Sequence, residues 1–274
     1  MTTNPLGDLV ASLGHAVVVT GTDTDVGKTY ATAALTVSGW NVGRRRIAVY
    51  KPQQTGIRGG EPGDVDDVAR LARAAGVPSE ALTTAEGQRL TEPMAPPPAA
   101  AIDGVELLPL SEHVMKIVEL QESHDLVIVE GSGGVLVELD GDRRTIADLA
   151  VALQEACGEP GGAAQTGRAA AETSGQLSSP ETSEPVNAVE RDGGTVSTVL
   201  VARPDLGTLN HTLLSLEALL HRGVEVAGVV LGSWPADPDR LATSNREYLA
   251  DLPPVAGRRV PLLGAVPRGW GGAA

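Results

Sequence analysis

The stretch that most constrains the fold runs from Ala16 to Tyr30 and reads AVVVTGTDTDVGKTY. The β-branched run Val17, Val18, Val19 has the character of a buried strand. Small and polar residues from Gly21 to Gly27 make a loop, and Lys28 opens a helix. Two glycines let the backbone turn its N–H groups inward, the helix that follows presents the positive end of its dipole, and Lys28 adds a full charge. Such a set binds phosphate, and Thr29 stands where phosphate-binding loops place a magnesium ligand. Five residues, Thr22 to Val26, separate the glycines where the common pattern has four. The competing reading is an ordinary turn with a chance Gly-Lys-Thr, but a strand before and a helix after favour the phosphate site. Of 21 basic residues only Lys28, Lys51 and Lys116 are lysines, so the chain keeps a compact ammonium where phosphate chemistry wants one.

The rest of the composition sets limits. With 274 residues and 42% hydrophobic content the chain can bury a full core, and without a single Phe that core is packed from Val, Leu, Ile and Ala. One cysteine, Cys157, excludes an intramolecular disulfide, and no Cys/His spacing suits zinc. No apolar run approaches membrane-spanning length and no signal-peptide pattern opens the chain, so a cytoplasmic protein is expected. A net charge of −14 argues against nucleic acid as a partner, since a polyanion needs a basic footprint.

Taken in order, residues 1–14 read as a flexible leader. A helix over Lys28 to Ser38 follows the loop, and Ile47 to Tyr50 reads as a strand delivering Lys51-Pro52-Gln53-Gln54-Thr55-Gly56 to the ligand edge of an open sheet. Asp64, Asp66 and Asp67 open the next helix; at least two of them act as acidic caps, and one can reach a magnesium ion. Pro93 to Ala101, PMAPPPAAA, is expected to be a surface loop. Ser111 to Gln121 is amphipathic, and Asp125 to Glu138 holds a buried strand ending in Glu130 and the turn Gly131-Ser132-Gly133-Gly134. An acid at that strand end suits a second magnesium-organising position. Asp142 to Leu153 reads as a helix with Thr145 at its start. Glu155 to Gly194 lacks large apolar residues and carries seven acids against two arginines; it reads as a disordered insertion. Strands at Thr195 to Ala202, Val224 to Leu231 and Pro261 to Val266 alternate with helices at Leu209 to His221 and Asp237 to Leu252. His211 reads as a packing residue. The alternation predicts a single domain over 15–274, interrupted at 155–194. Its class is α/β: a doubly wound, mostly parallel sheet with helices on both faces.

Four motifs in this order give the chain a resemblance to the dethiobiotin synthetase family, whose fold is that of the P-loop nucleoside triphosphate hydrolases. GTDTDVGKT at Gly21 to Thr29 resembles that family's phosphate loop, and KPQQTG at Lys51 to Gly56 its substrate lysine motif. VEGSGG at Val129 to Gly134 and DLGTLNHT at Asp205 to Thr212 are similar to its acidic strand end and its substrate helix start. The resemblance implies ATP-dependent closure of 7,8-diaminopelargonate with CO2 to dethiobiotin, by way of a carbamate that attacks the γ-phosphate. It implies that Lys51 binds the carbamate and Lys28 stabilises the transferring phosphoryl group. Thr29, Asp67 and Glu130 would hold Mg2+, and Thr55 would contact the diamine. The nucleotide would lie on Asp25, Val26, Gly27, Lys28, Thr29, Tyr30, Asp67, Glu130, Gly131, Ser132, Gly133, Gly232, Ser233, Pro267, Arg268 and Gly269. Gly207, Thr208, Leu209 and Asn210 of a neighbouring subunit would hold the substrate carboxylate, which implies a homodimer. Two features depart from the family: Gly232 stands where many members carry an asparagine that reads the base, implying weak base selectivity, and the insertion has no counterpart.

Two other readings share the fold. An amidoligase of the cobyrinate amidase type would lack a lysine motif dedicated to a carbamate and would bring a Cys-His pair, for which Cys157 is poorly placed. A partition-type ATPase switch carries an extra lysine early in the loop, where this chain has Asp23.

Overall fold

The β-branched and small apolar runs of the sequence become the centre of one seven-stranded sheet. In the computed structural model, which describes Leu6 and residues 13–158 and 195–272, the strands are β1 (Ala16–Gly21), β2 (Ile47–Gln54), β3 (Leu82–Arg89), β4 (Leu126–Gly134), β5 (Val196–Ala202), β6 (Val226–Trp234) and β7 (Leu262–Pro267). Their spatial order is β3-β2-β4-β1-β5-β6-β7, and every neighbouring pair is parallel. The helices are α1 (Lys28–Asn41), α2 (Asp64–Ala74), α3 (Pro96–Asp103), α4 (Leu110–Ser123), α5 (Ile146–Gly158), α6 (Thr208–Leu220) and α7 (Arg240–Ala250).

Parallel strands buried on both faces need cover on both faces. Val17, Val19, Ile47, Val49 and Ile128 point to one side, against Ala31 and Leu35 of α1, Val68 and Leu71 of α2, and Trp270. Val18, Ala48, Val127 and Val129 point to the other, against Ile117 of α4, Leu149 and Leu153 of α5, Leu216 of α6 and Leu249 of α7. The period of two along each strand thus divides the core into two layers. The C-terminal ends of β1, β2 and β4 open together, because β4 lies between β1 and β2 in the sheet.

Several local expectations are corrected. Pro96, Pro97 and Pro98 form the first turn of α3 rather than a loop. The first N–H groups of a helix have no intrahelical partner, so prolines cost nothing there. β3 carries no apolar signal beyond Leu82, its only buried residue, and its polar sequence fits its place at the sheet edge. α5 runs on to Gly158, past the expected start of the insertion at Glu155, and Thr145 does stand at its head; the rest of the insertion, 159–194, lies outside the described residues. Of the leader, Leu6 and Leu13 are buried in the first core layer, and residues 1–5 and 7–12 lie outside the described residues. Among the described residues no helix is long and apolar enough to cross a membrane.

A polar cluster interrupts the second layer. His113 of α4 is fully buried, its Nδ1 lies 2.7 Å from the Tyr50 hydroxyl, and its Nε2 faces the Gln53 amide nitrogen at 3.5 Å. Gln53 also donates to the Leu139 carbonyl at 2.9 Å. Burial, only partly opposed by Asp140, brings the His113 imidazole from 6.5 down to about 4. The unfolded chain therefore takes up a proton below 6.5 that the native state refuses until about 4. Stability falls as pH drops through that window, by at most about 3 kcal/mol from this group. Urea unfolding followed between pH 7 and pH 4 should show the slope, and His113→Gln should flatten it.

Candidate active site

The phosphate loop is shaped by residues that accept left-handed backbone. Gly27, the N-cap of α1, has φ +96, and Asp25 has φ +58. The Asp23 side chain accepts from the Thr24 N–H at 2.7 Å, and Lys28 Nζ donates to the Asp23 carbonyl at 2.9 Å. Arg203, from the loop after β5, forms an ion pair of 2.5 Å with the Asp23 carboxylate. The loop is also packed from behind: a Cβ on Gly232 would lie 2.0 Å from the Val26 carbonyl oxygen. Gly232 is therefore required by the close approach of β6 to the loop, and an asparagine would need the two backbones to separate.

β4 delivers the central carboxylate. Val19 pairs with Glu130 and Tyr50 with Val129, so Glu130 sits between the ends of β1 and β2. It is 1% exposed. Its Oε1 accepts from the Thr29 hydroxyl at 3.0 Å and from Lys51 Nζ at 2.9 Å, while its Oε2 is buried without a partner. Lys51 does not emerge at a surface edge as its motif suggested. β2 continues through Pro52 to Gln54, and Lys51 is buried within it. The ladder to β4 ends at Tyr50, so the missing N–H of Pro52 leaves no bond broken on that side.

Charge explains the two ammonium groups. Burial first, then the nearby charge of Lys51, lowers the Lys28 ammonium to about 8. Burial pulls Lys51 in the same direction, but Glu130 and Asp64 outweigh it and hold that group above its ordinary value. Asp64 Oδ2 lies 2.5 Å from Lys51 Nζ.

A cavity of about 680 Å3 opens over these groups. It is lined by the expected Asp25, Gly27, Lys28, Thr29, Tyr30, Lys51, Thr55, Asp67, Glu130, Ser132, Gly133 and Ser233. Val26 and Gly232 back the loop, and the Gly131 carbonyl accepts from Lys51 at 3.3 Å. Pro267 pairs with Trp234 and Arg268 donates its N–H to the Trp234 carbonyl, which ties Pro267, Arg268 and Gly269 to the end of β6 beside Ser233. Gly207, Thr208, Leu209 and Asn210, at the start of α6, do not line the cavity.

The three acids at the head of α2 divide the work. Asp66 caps the helix by accepting from the Gly63 N–H at 2.8 Å, Asp67 pairs with Arg70 at 2.8 Å, and Asp64 holds Lys51. The Asp64–Lys51 contact was not anticipated. Its signal is helical phase: Asp64, Asp67 and Leu71 share one stripe, and all three line the cavity. Thr24, Gln54, Pro93, Met94 and Pro96 also line it without having been singled out.

A strand, glycine-rich loop and helix start facing a buried strand-end carboxylate define a P-loop α/β nucleotide-binding protein. The chain matches the AAA domain family over residues 15–155 and 165–269. It is 40% identical over 254 residues to the ATP-dependent dethiobiotin synthetase BioD of Rhodococcus erythropolis, covering 93% of this chain and 88% of the relative. It is 40% identical over 252 residues to that of Saccharopolyspora erythraea (92% and 87%) and 39% identical over 254 residues to that of Streptomyces coelicolor (93% and 84%). The chain belongs to the dethiobiotin synthetase family, a family of ATP-dependent ligases.

The approach of β6 to the loop is directly testable. Gly232→Ala should keep the circular dichroism of the wild type and weaken ATP binding by about tenfold or more, through displacement of Val26 and Gly27; calorimetric titration with ATP measures it.

Proposed function

We propose that the protein converts 7,8-diaminopelargonate, CO2 and ATP into dethiobiotin, ADP and phosphate, the ring-closing reaction of biotin biosynthesis, in the cytoplasm. The observation that carries this reading is the convergence of two buried ammonium groups, Lys28 and Lys51, with Glu130 on one cavity. One lysine serves a phosphate loop, and the second gives the same cavity a seat for another anion.

In the proposed sequence one amine of the substrate adds to CO2 and loses a proton, giving a carbamate whose charge Lys51 neutralises. A carbamate oxygen attacks the γ-phosphorus and ADP departs. The second amine then attacks the carbonyl carbon of the carbamic–phosphoric anhydride, closing the ring and expelling phosphate. Lys28 and the loop N–H groups stabilise charge on the transferring phosphoryl group. Positioning and electrostatics are the main demands of phosphoryl transfer, so no protein nucleophile is required. Thr55, on the cavity wall, would contact the diamine.

The residues present fit a divalent cation. Glu130 carries a buried oxygen without a partner, beside the Thr29 hydroxyl, with Asp67 on the same cavity. Hard oxygen donors of this kind suit Mg2+, held by Thr29, Glu130 and Asp67 together with phosphate oxygens and water. When bound it neutralises charge between the β- and γ-phosphates.

We read the start of α6 as serving a second copy of the chain. Gly207 to Asn210 lie outside this chain's own cavity, and the neighbouring Leu206 and Leu214 are 81% and 56% exposed. A homodimer would cover them and let the helix N-terminus meet the substrate carboxylate across the interface.

Phosphate release by the purified protein with MgATP, bicarbonate and 7,8-diaminopelargonate tests the reaction, with mass spectrometry for dethiobiotin. Release that depends on the diamine and matches the dethiobiotin formed is expected; ATP binding without either product would sink the proposal. Lys51→Gln should keep MgATP binding and lose turnover by a hundredfold or more, on the order expected when a charge in a transition state is left unpaired. For the dimer, Leu206→Asp should shift sedimentation toward the monomer and raise the KM for the diamine; an unchanged mass would remove α6 from the interface.

A further inference from the structure

Lys51 has no free hydrogen-bond donor. Its ammonium has three N–H groups, and three acceptors surround it: Asp64 Oδ2 at 2.5 Å, Glu130 Oε1 at 2.9 Å and the Gly131 carbonyl at 3.3 Å. Any anionic ligand that reaches Lys51 must therefore displace one of them. The Gly131 carbonyl is fixed in the backbone of β4. Glu130 is 1% exposed and also bonded to Thr29. Asp64 is the acceptor able to leave: its side chain is 37% exposed and stands on the cavity wall.

The backbone under Asp64 is held independently of its carboxylate. Its N–H donates to Gln54 Oε1 at 2.9 Å, and the head of α2 is capped by Asp66. A rotation of the Asp64 side chain thus opens Lys51 without moving the helix. Released from Lys51, the carboxylate stays at the first turn of α2, where the helix dipole favours it.

The chemistry of the displaced group matches that of the incoming one. A carbamate is a carboxylate borne on nitrogen: planar, with a single negative charge and two equivalent oxygens. Resting on the reaction proposed above, we propose that Asp64 is a positioning residue that occupies the carbamate's seat on Lys51 in the free protein and yields it when the substrate carbamate forms. The carboxylate keeps the buried ammonium paired while the site is empty. It also competes with the substrate, so part of the carbamate's binding energy goes into displacing it.

Asp64→Asn, with Asp64→Ser as a second variant, tests this in the full-length chain. The readout is calorimetric titration with 7,8-diaminopelargonate without nucleotide, once with saturating bicarbonate and once under CO2-free gas. The wild type should bind the diamine more tightly with bicarbonate. In both variants that bicarbonate-dependent gain should increase, on the order of tenfold or less, because the competing carboxylate is gone. The apparent KM for the diamine should fall in parallel, and Asp64→Glu, which restores a carboxylate, should return it toward the wild-type value. A merely structural role for Asp64 would leave the bicarbonate-dependent gain where it was. Three outcomes overturn the inference alone: a gain identical to wild type, a loss of diamine affinity in both gases, which would make Asp64 a seat for the substrate ammonium, or a raised Mg2+ requirement, which would make it a metal ligand. A wild-type protein that binds ATP but gains nothing from bicarbonate overturns the proposed reaction, and this inference with it.

Discussion

The site depends on one buried carboxylate. Glu130 is almost wholly removed from water, and burying a charged carboxylate without partners costs several kcal/mol. Thr29 and Lys51 supply those partners, and they come from two different motifs on two different sides of β4. The first turn of α1 and the end of β2 are therefore positioned against a common oxygen atom. A shift of either element leaves a buried charge unpaired, which makes the geometry stiff at the point where the phosphate loop meets the second lysine.

Strand order makes this convergence available. β1 is followed by α1 and β2 in the chain, yet β4 lies between β1 and β2 in the sheet, so an acid at the end of β4 reaches both neighbours at once. The helices that serve this edge, α1 and α2, pack on one face, while α4, α5, α6 and α7 fill the other. The division leaves the active edge to the first face and gives the buried His113, Tyr50 and Gln53 cluster to the second. Gln53 links the two, because its backbone carbonyl accepts from Ser132, which lines the cavity, while its side chain belongs to the cluster beneath.

Much of this was legible in the residues. Val17 to Val19, Ile47 to Tyr50, Leu126 to Val129 and Val199 to Val201 are apolar on successive positions, the mark of strands covered on both faces, and each is a strand. The phosphate loop was legible because glycine, lysine and threonine carry fixed chemical duties there. β3 was not, since an edge strand of Thr, Glu, Gly, Gln and Arg has no periodicity to read. α3 was hidden by its prolines, whose usual meaning reverses in the first turn of a helix. Lys51 was placed in the right site but in the wrong setting: nothing in Lys-Pro-Gln-Gln states that β2 continues through a proline at the end of one of its ladders. Gly232 looked like a lost base contact, and its second meaning, the close approach to Val26, is a relation between residues 206 positions apart in the chain.

The charge balance of the cavity follows from the same contacts. Lys28 and Lys51 face Glu130 and Asp64, so the free site is close to neutral, and the cost of burying each ammonium is offset by carboxylates on adjoining elements. Lys28 is the less well compensated of the two: burial and the neighbouring charge of Lys51 lower it to about 8, whereas the two carboxylates hold Lys51 charged. A polyphosphate entering the loop brings negative charge to the lysine that lacks it, in surroundings where water screens little. The arrangement thus separates two duties. Lys51 is charged in advance by groups the fold supplies, and Lys28 is left for the nucleotide to complete.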